Sequence, residues 1–162
     1  MSSELNPIVL RFVEHVGNTT QSFGAGRVIG QIYAYLYFSQ SPKNLGDMQQ
    51  ALGISKGSAS TGVRQLEQWG AVRKVWVKGD RKDYYQAVDW FGQILKKAIA
   101  DTVGKKLTSY TSLLTEIETE LASVKDDGGD GEFIKSRLKH LREFQTKTKK
   151  LWDDPIVQGI LK

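Results

Sequence analysis

The segment from Ser55 to Trp69 has the pattern of a helix whose outer face can contact a polyanion. At about 100° per residue, Ala59, Val63 and Leu66 share one stripe that must face a core. The opposite face carries no carboxylate, because Glu67 lies toward its flank. We call this the outer face; it consists of Gly57, Ser60, Thr61, Arg64 and Gln68, with Lys56 near its start. Ser55 and Ser58, in the first turn, complete the set of candidate DNA-binding residues in this segment.

These residue types suit contact with a nucleic acid. Arg64 can donate two parallel hydrogen bonds to a guanine, and the small residues allow close approach to a groove floor. The backbone N–H groups of Lys56 and Gly57, at the start of the helix, suit a phosphate. A surface helix weakened by glycine, with no ligand at all, is the alternative interpretation.

A β-hairpin is predicted directly after this helix. The stretches 71–77 and 84–88 are rich in β-branched and aromatic residues, and the charged segment 78–83 lies between them. Gly79 permits a tight turn at the tip. The order of helix, short helix, turn, helix and hairpin is that of a winged helix.

The tip of the hairpin supplies a second set of cations. Lys78, Arg81 and Lys82 fall within five residues, and Arg81 is placed to enter a minor groove with Asp80 or Asp83 orienting it. Charged hairpin tips are usually just solvated. Beside the preceding helix, however, the tip and the outer face would form one surface for a polyanion.

The distribution of charge supports this surface. The 162 residues carry a net charge of +5, and an acidic block at 111–132 is matched by a basic block at 133–150. The stretch 54–82 contains only Glu67 and Asp80 as acidic residues, so it has no acidic partner in the sequence. Its basic residues are Lys56, Arg64, Arg73, Lys74, Lys78, Arg81 and Lys82.

The other elements are predicted from hydrophobic periodicity and end signals. Gly53 is predicted to end a short helix in a left-handed conformation, and Ser55 to cap the next helix. The helices are predicted at 4–16, 27–39, 45–52 and 55–69.

The rest of the chain is predicted to be helical. A seam with alternating spacings of four and three consists of Val103, Leu107, Tyr110, Leu114, Ile117, Leu121 and Val124. A glycine-rich loop at 126–131 precedes a basic helix that begins with Ile134, Leu138 and Leu141. Either an antiparallel hairpin or pairing across a dimer would set the acidic block beside the basic one.

The segment from Leu45 to Asp89 resembles the DNA-binding module of the MarR superfamily, specifically its GbsR-type branch. The matching text is "ALGISKGSAS" and "LEQWGAVRKVWVKGDRKDYY", with "FGAGRVIGQIYAYL" upstream, and the resemblance covers residues 8–92. It implies a dimeric winged-helix repressor or activator with Ser55, Lys56, Gly57, Ser60 and Arg64 in the recognition helix and Arg81 and Lys82 in the wing. Similar proteins often have a larger polar residue at the position of Gly62, so the resemblance implies no particular operator.

The expected architecture is mainly α with a small β-hairpin wing. A winged helix-turn-helix domain at 22–90 is flanked by a helical dimerisation region at 1–21 and 91–162. The predicted partners are double-stranded DNA and a second copy of the chain, with segment 55–69 in the major groove and segment 78–83 at the minor groove. A winged-helix module that binds proteins and does not read DNA is the alternative.

An effector site is a further hypothesis. Tyr33, Tyr37, Trp76 and Trp90 could form a box for a quaternary ammonium compound through cation–π attraction, and relatives of the GbsR-type branch are associated with choline and glycine betaine. Tyr33 and Tyr37 have helical spacing, so ordinary core packing is the competing interpretation.

Enzymatic and metal-dependent functions are not expected. The chain has no cysteine, and we find no serine–histidine–carboxylate grouping and no Walker-type loop. His15 and His140 are expected to be packed or solvated, and loop 126–131 lacks the glutamate of an EF-hand. We expect no cofactor, no membrane span and a cytoplasmic location.

Overall fold

A computed structural model describes residues 5–89, 91–124 and 130–161. The chain divides into two compact units, Met1–Ala98 and Ile99–Lys162, which are described separately. Trp90 of the effector hypothesis and residues 126–129 of the predicted glycine-rich loop lie outside the described residues. None of the helices in the described part of the chain is long and apolar enough to cross a membrane.

The first unit has the winged helix-turn-helix fold that the sequence predicts. Its sheet is antiparallel with the order β1-β3-β2, and Tyr84 pairs with Asn44 on one side and Val75 on the other. In chain order the elements are α1 (Pro7–Ser22), α2 (Arg27–Tyr37), β1 (Lys43–Asn44), α3 (Leu45–Leu52), α4 (Lys56–Gln68), β2 (Val72–Val75) and β3 (Tyr84–Ala87). The fifth helix, α5 (Phe91–Ser123), starts in this unit and continues into the second.

The helix-turn-helix is held by end signals in its own sequence. Asn44 and Asp47 form a reciprocal capping box at the start of α3, with hydrogen bonds of 3.1 and 2.9 Å. Gly53 ends α3 in the left-handed region, with φ of 64°. Ser55 then caps α4 by accepting a hydrogen bond from the backbone N–H of Ser58 at 3.1 Å. Both predicted caps are confirmed.

The predicted first helix is longer than its apolar pattern. It ends at Ser22 rather than near residue 16, because polar residues in its last turns bond to their own helix. The hydroxyls of Thr19 and Ser22 donate to the carbonyls of His15 and Thr19, and that of Thr20 also reaches the carbonyl of Gly26. The bond of Thr20 joins the end of α1 to the start of α2.

The core of the first unit lies around α2. Ile32, Leu36, Met48, Val63 and Leu66 are almost completely buried. Val13 and Val16 of α1, together with Ala71 and Val72 at the start of the hairpin, complete the same cluster. Because α4 buries one stripe in this cluster, its opposite side must face outward.

The second unit contains an antiparallel pair of helices within one chain. Arg142 of α6 (Asp130–Trp152) forms an ion pair of 2.7 Å with Glu118 of α5, and Gln145 donates to Thr111 at 2.7 Å. The acidic and basic blocks therefore meet through a hairpin, one of the two predicted arrangements. A short helix that we did not predict, α7 (Pro155–Leu161), follows.

The predicted apolar seam of α5 is only partly covered. Leu114 is buried and Leu138 of α6 is buried with it, but Tyr110 and Val124 are exposed. On α6, Ile134 and Leu141 are also exposed. Polar side chains also join these two helices, among them the buried Gln145, which hydrogen-bonds to Thr111. The apolar spacing of the seam does not indicate these polar contacts.

Candidate nucleic-acid interface

The outer face of α4 is exposed as the helical spacing predicts. Ala59, Val63 and Leu66 are buried on the opposite side. Ser58 and Ser60 are half-buried and Glu67 is exposed at the flank. The remaining candidate DNA-binding residues of this segment are all exposed: Ser55, Lys56, Gly57, Thr61, Arg64 and Gln68.

Gly62 belongs to the packing side of α4 and not to its outer face. It is buried, and a Cβ at this position would lie 2.7 Å from Cδ1 of Ile32 in α2. Similar proteins often have a larger polar residue at this position, and in this chain that difference affects the packing of α4 against α2. Position 62 gives no direct information about the operator.

At the start of α4, backbone N–H groups are available to an anion, whereas the Ser55 hydroxyl is already hydrogen-bonded within the helix. Ser55 Oγ accepts from the N–H of Ser58 and donates to Ser58 Oγ at 3.0 Å. The first intrahelical bond runs from the N–H of Ala59 to the carbonyl of Ser55. The N–H groups of Lys56 and Gly57 precede that bond, so they point out of the helix end where a phosphate is favoured.

The wing tip exposes the three predicted cations. Lys78, Arg81 and Lys82 are exposed, and Gly79 has a φ of 87° that favours glycine. The tip extends from the same compact unit as α4. The unit therefore carries the basic tip and the carboxylate-free outer face together.

The two carboxylates of the tip act differently from our expectation that one would orient the Arg81 side chain. Asp80 Oδ1 accepts from the backbone N–H of Lys82 at 3.0 Å, and Asp80 Oδ2 accepts from the Tyr84 hydroxyl at 2.7 Å. These bonds hold the pKa of the Asp80 carboxyl below its ordinary value. Asp80 thus shapes the backbone that carries the cations.

Asp83 neutralises one cation of the basic stretch. Its carboxylate lies 3.0 Å from Lys74 Nζ, and this hydrogen bond raises the pKa of Lys74. The prediction that the stretch has no acidic partner is therefore wrong for Lys74, because the pairing carboxylate lies one residue beyond the stretch.

Three residues of the effector hypothesis, Tyr33, Tyr37 and Trp76, lie in the described part of the chain. Tyr33 and Tyr37 lie together, with ring centroids 5.9 Å apart, and the Tyr33 hydroxyl donates to the carbonyl of Val88 at 3.0 Å. Burial raises the pKa of Tyr33 above its ordinary value. Trp76, in contrast, follows β2 in the wing and is 78% exposed.

Tyr33 lines a cavity of about 270 Å³ in the first unit. Phe12, Trp69 and His15 also line it, with Leu66 from the buried stripe of α4. Phe12 and His15 follow the amphipathic pattern of α1, and their spacing alone does not indicate that they line a cavity. In the described part of the chain, no group of three or more metal-binding side chains is found.

No protein-family model matches the chain. Curated proteins do resemble it. It is 26% identical to YvaV of Bacillus subtilis over 136 residues, which are 82% of this chain and 77% of YvaV. It is 25% identical to the HTH-type transcriptional repressor OpcR of the same organism, over 72% of this chain and 63% of OpcR.

Two further comparisons agree with these. The chain is 23% identical to the HTH-type transcriptional repressor GbsR of B. subtilis over 87% of this chain and 78% of GbsR. A crystal structure of a transcriptional regulator superposes with a TM-score of 0.54 at 22% identity, covering 96% of both chains. The chain is thus a winged helix-turn-helix protein, and its relatives OpcR and GbsR are HTH-type transcriptional repressors.

Proposed function

We propose that this chain is a transcriptional regulator that binds double-stranded DNA sequence-specifically and acts as a homodimeric repressor. The observation that carries the proposal is the outer face of α4, which has no carboxylate and belongs to the same compact unit as the basic wing tip. Similarity to OpcR and GbsR supports repression and a place in the GbsR-type branch of the MarR superfamily.

In this proposal α4 enters the major groove and the wing follows the backbone into the minor groove. Arg64 and Gln68 are long, exposed side chains on the outer face and read base edges. The N–H groups of Lys56 and Gly57, with the hydroxyl of Thr61, position the helix on phosphates. Lys78, Arg81 and Lys82 supply the wing contact.

Dimerisation belongs to the helices outside the winged helix, at 1–21 and 91–162. Support comes from α6, where Phe133, Phe144 and Leu151 are 61%, 65% and 66% exposed. These residues differ by 11 and 7 positions, which places them on one stripe of the helix within about 20° of each other. Large apolar side chains that share an exposed stripe indicate a partner surface.

A quaternary ammonium effector is the second part of the proposal. The aromatic rings of Phe12, Tyr33 and Trp69 around the cavity supply π faces for a desolvated cation. This lining replaces Trp76 of the original box. Calorimetric titration with choline and glycine betaine tests the idea, and the absence of a binding heat at millimolar ligand would contradict it.

Selection of duplexes from a random pool tests the DNA-binding function. The enriched duplex should bind more tightly than a scrambled one, and the logarithm of its affinity should fall linearly with the logarithm of the salt concentration. Two half-sites about 34 Å apart are expected for a dimer on one face of the DNA. Failure to retain any duplex, or an affinity that does not change with salt, would favour the protein-interaction module.

A further inference from the structure

Tyr84 occupies the junction of the wing and the helix-turn-helix. It opens β3, where its Cα pairs with Val75 of β2 on one side and with Asn44 of β1 on the other. Its side chain is half-buried, and its hydroxyl donates to Asp80 Oδ2 at 2.7 Å. One hydroxyl therefore reaches from the centre of the small sheet to the tip of the wing.

Asp80 links the Tyr84 hydroxyl to the backbone of the wing tip. Its other oxygen accepts from the N–H of Lys82 at 3.0 Å, while its own N–H bonds to the carbonyl of Val77 at 3.3 Å. Gly79, directly before it, has the positive φ that the turn requires. A carboxylate held on both oxygens fixes the direction in which Arg81 and Lys82 leave the turn.

The opposite end of this path is the start of the helix-turn-helix. Asn44 of β1, with which Tyr84 pairs across the sheet, is also the N-cap of α3. Asn44 Oδ1 also accepts from the N–H of Asp47, which caps α3. Strand pairing between Asn44 and Tyr84, together with the two hydrogen bonds of Asp80, therefore joins the α3 cap to the Lys82 backbone.

We propose that Tyr84 is a positioning residue for DNA binding, acting through Asp80 to hold Arg81 and Lys82 in the orientation in which the wing meets the duplex. The inference rests on the proposed DNA-binding function. It assigns Asp80 a role opposite to that expected from charge alone. Removing a carboxylate beside a polyanion should strengthen binding, whereas removing this positioning carboxylate should weaken it.

The test compares the affinities of four proteins for the selected duplex: wild type, Tyr84→Phe, Asp80→Ala and Tyr85→Phe. Tyr85→Phe is the matched control, because it removes a hydroxyl from the next residue of β3, whose side chain projects from the other face of the sheet. We expect Tyr84→Phe to bind about three- to tenfold more weakly, the range for one lost hydrogen bond. Asp80→Ala should also bind more weakly despite its more positive charge.

A second comparison separates positioning from general damage to the fold. In a chain that already carries Arg81→Ala and Lys82→Ala, the added change Tyr84→Phe should have almost no further effect on affinity, since the cations that it positions are gone. An undiminished effect in that background would overturn the proposal. So would equal affinities of wild type and Tyr84→Phe, or tighter binding by Asp80→Ala.

Hydrogen exchange provides a readout that needs no DNA. The amide of Lys82 should exchange faster in Tyr84→Phe than in wild type or Tyr85→Phe, and unchanged exchange would contradict the hydrogen-bond path. If wild type binds duplex and the variants do not differ from it, only this inference fails. If the Lys82 amide exchanges faster in Tyr84→Phe but wild type binds no duplex, the proposed DNA-binding function fails, and the role of Tyr84 in DNA binding fails with it.

Discussion

Arg64 is the exposed side chain of α4 best suited to distinguish one base pair from another, since its guanidinium can donate two bonds to guanine. We expect Arg64→Ala to cost about 1–3 kcal/mol of binding free energy and to relax the preference at one base pair. Binding to a panel of duplexes, each with one altered base pair, measures this. Gln68→Ala at the same face is the companion variant, and an identical loss on every duplex would contradict base reading by Arg64.

Lys82 should contribute differently, because an exposed ammonium at the wing tip neutralises phosphate whatever the sequence. Lys82→Ala should weaken binding to selected and scrambled duplexes alike and reduce the salt slope by about one unit. Salt titrations by fluorescence anisotropy give the slope. Lys147→Ala, which removes an exposed cation of α6, serves as the control for net charge.

Single residues could be assigned from the sequence where their role is local. Ser55 and Gly53 are examples, because capping depends on the few residues around the end of a helix. The hydrogen bond between Tyr84 and Asp80 could not be found in this way, since it depends on the path of the turn that joins the two paired strands. The same applies to Gly62, whose neighbour Ile32 lies on another helix.

The crossing of α1 and α2 depends on the absence of a side chain at Gly30. A Cβ there would lie 2.6 Å from the carbonyl of Val16 and would overlap Thr20. Gly30→Ala should therefore destabilise the protein by about 1–3 kcal/mol, as overpacking does, although alanine favours helix. Denaturant unfolding measures the difference.

The matched control for this crossing is Gly104→Ala in the middle of α5. A Cβ at Gly104 would meet Trp152 at 3.8 Å, an ordinary contact. We expect this variant to be as stable as wild type or up to about 1 kcal/mol more stable. A stable Gly30→Ala variant would show that the two helices separate easily.

The ion pair between α5 and α6 should make the second unit sensitive to acid. Arg142 holds the pKa of the Glu118 carboxyl below its ordinary value of 4.5. A lowered pKa adds stability above about pH 4.5, and that stability is lost as the pH falls through the folded-state pKa. The thermal midpoint should therefore fall more steeply below this pH in wild type than in Glu118→Gln.

Circular dichroism melts at several pH values check this expectation. Glu116→Gln, which removes an exposed carboxylate from the same helix, is the control for charge. Equal pH dependence of wild type and Glu118→Gln would show that the ion pair adds nothing measurable to folding.

Helices and strands could be predicted from the sequence where they are long enough to show a regular hydrophobic pattern. The helices α2, α3 and α4 and the two strands of the hairpin follow from periodicity, to within one or two residues at most ends. The strand β1, Lys43–Asn44, escaped prediction because two residues cannot show a pattern and are ordered only by pairing with β3. The helix α7 is short, and its signal is Asp154, which accepts from the N–H of Ile156 directly before the apolar turn.

At the scale of the whole molecule, the proposed dimer depends on the exposed apolar stripe of α6. Phe144→Glu places a charge in the middle of that stripe and should shift the protein toward monomer while leaving the first unit folded. Sedimentation velocity measures the shift, and operator affinity should fall with it. Thr146→Glu, exposed two residues away on α6, is the control. A Phe144→Glu variant that sediments like wild type would remove this stripe from the interface.

The two sides of α4 share no side chain: Ala59, Gly62, Val63 and Leu66 pack, and Arg64 and Gln68 stand outside. Substitutions outside can therefore alter which promoters are controlled at little cost in folding free energy. After gene duplication, one copy could acquire new operator sequences through a few substitutions at outer-face residues of α4. The same separation would let an engineer reprogram the regulator without redesigning its core.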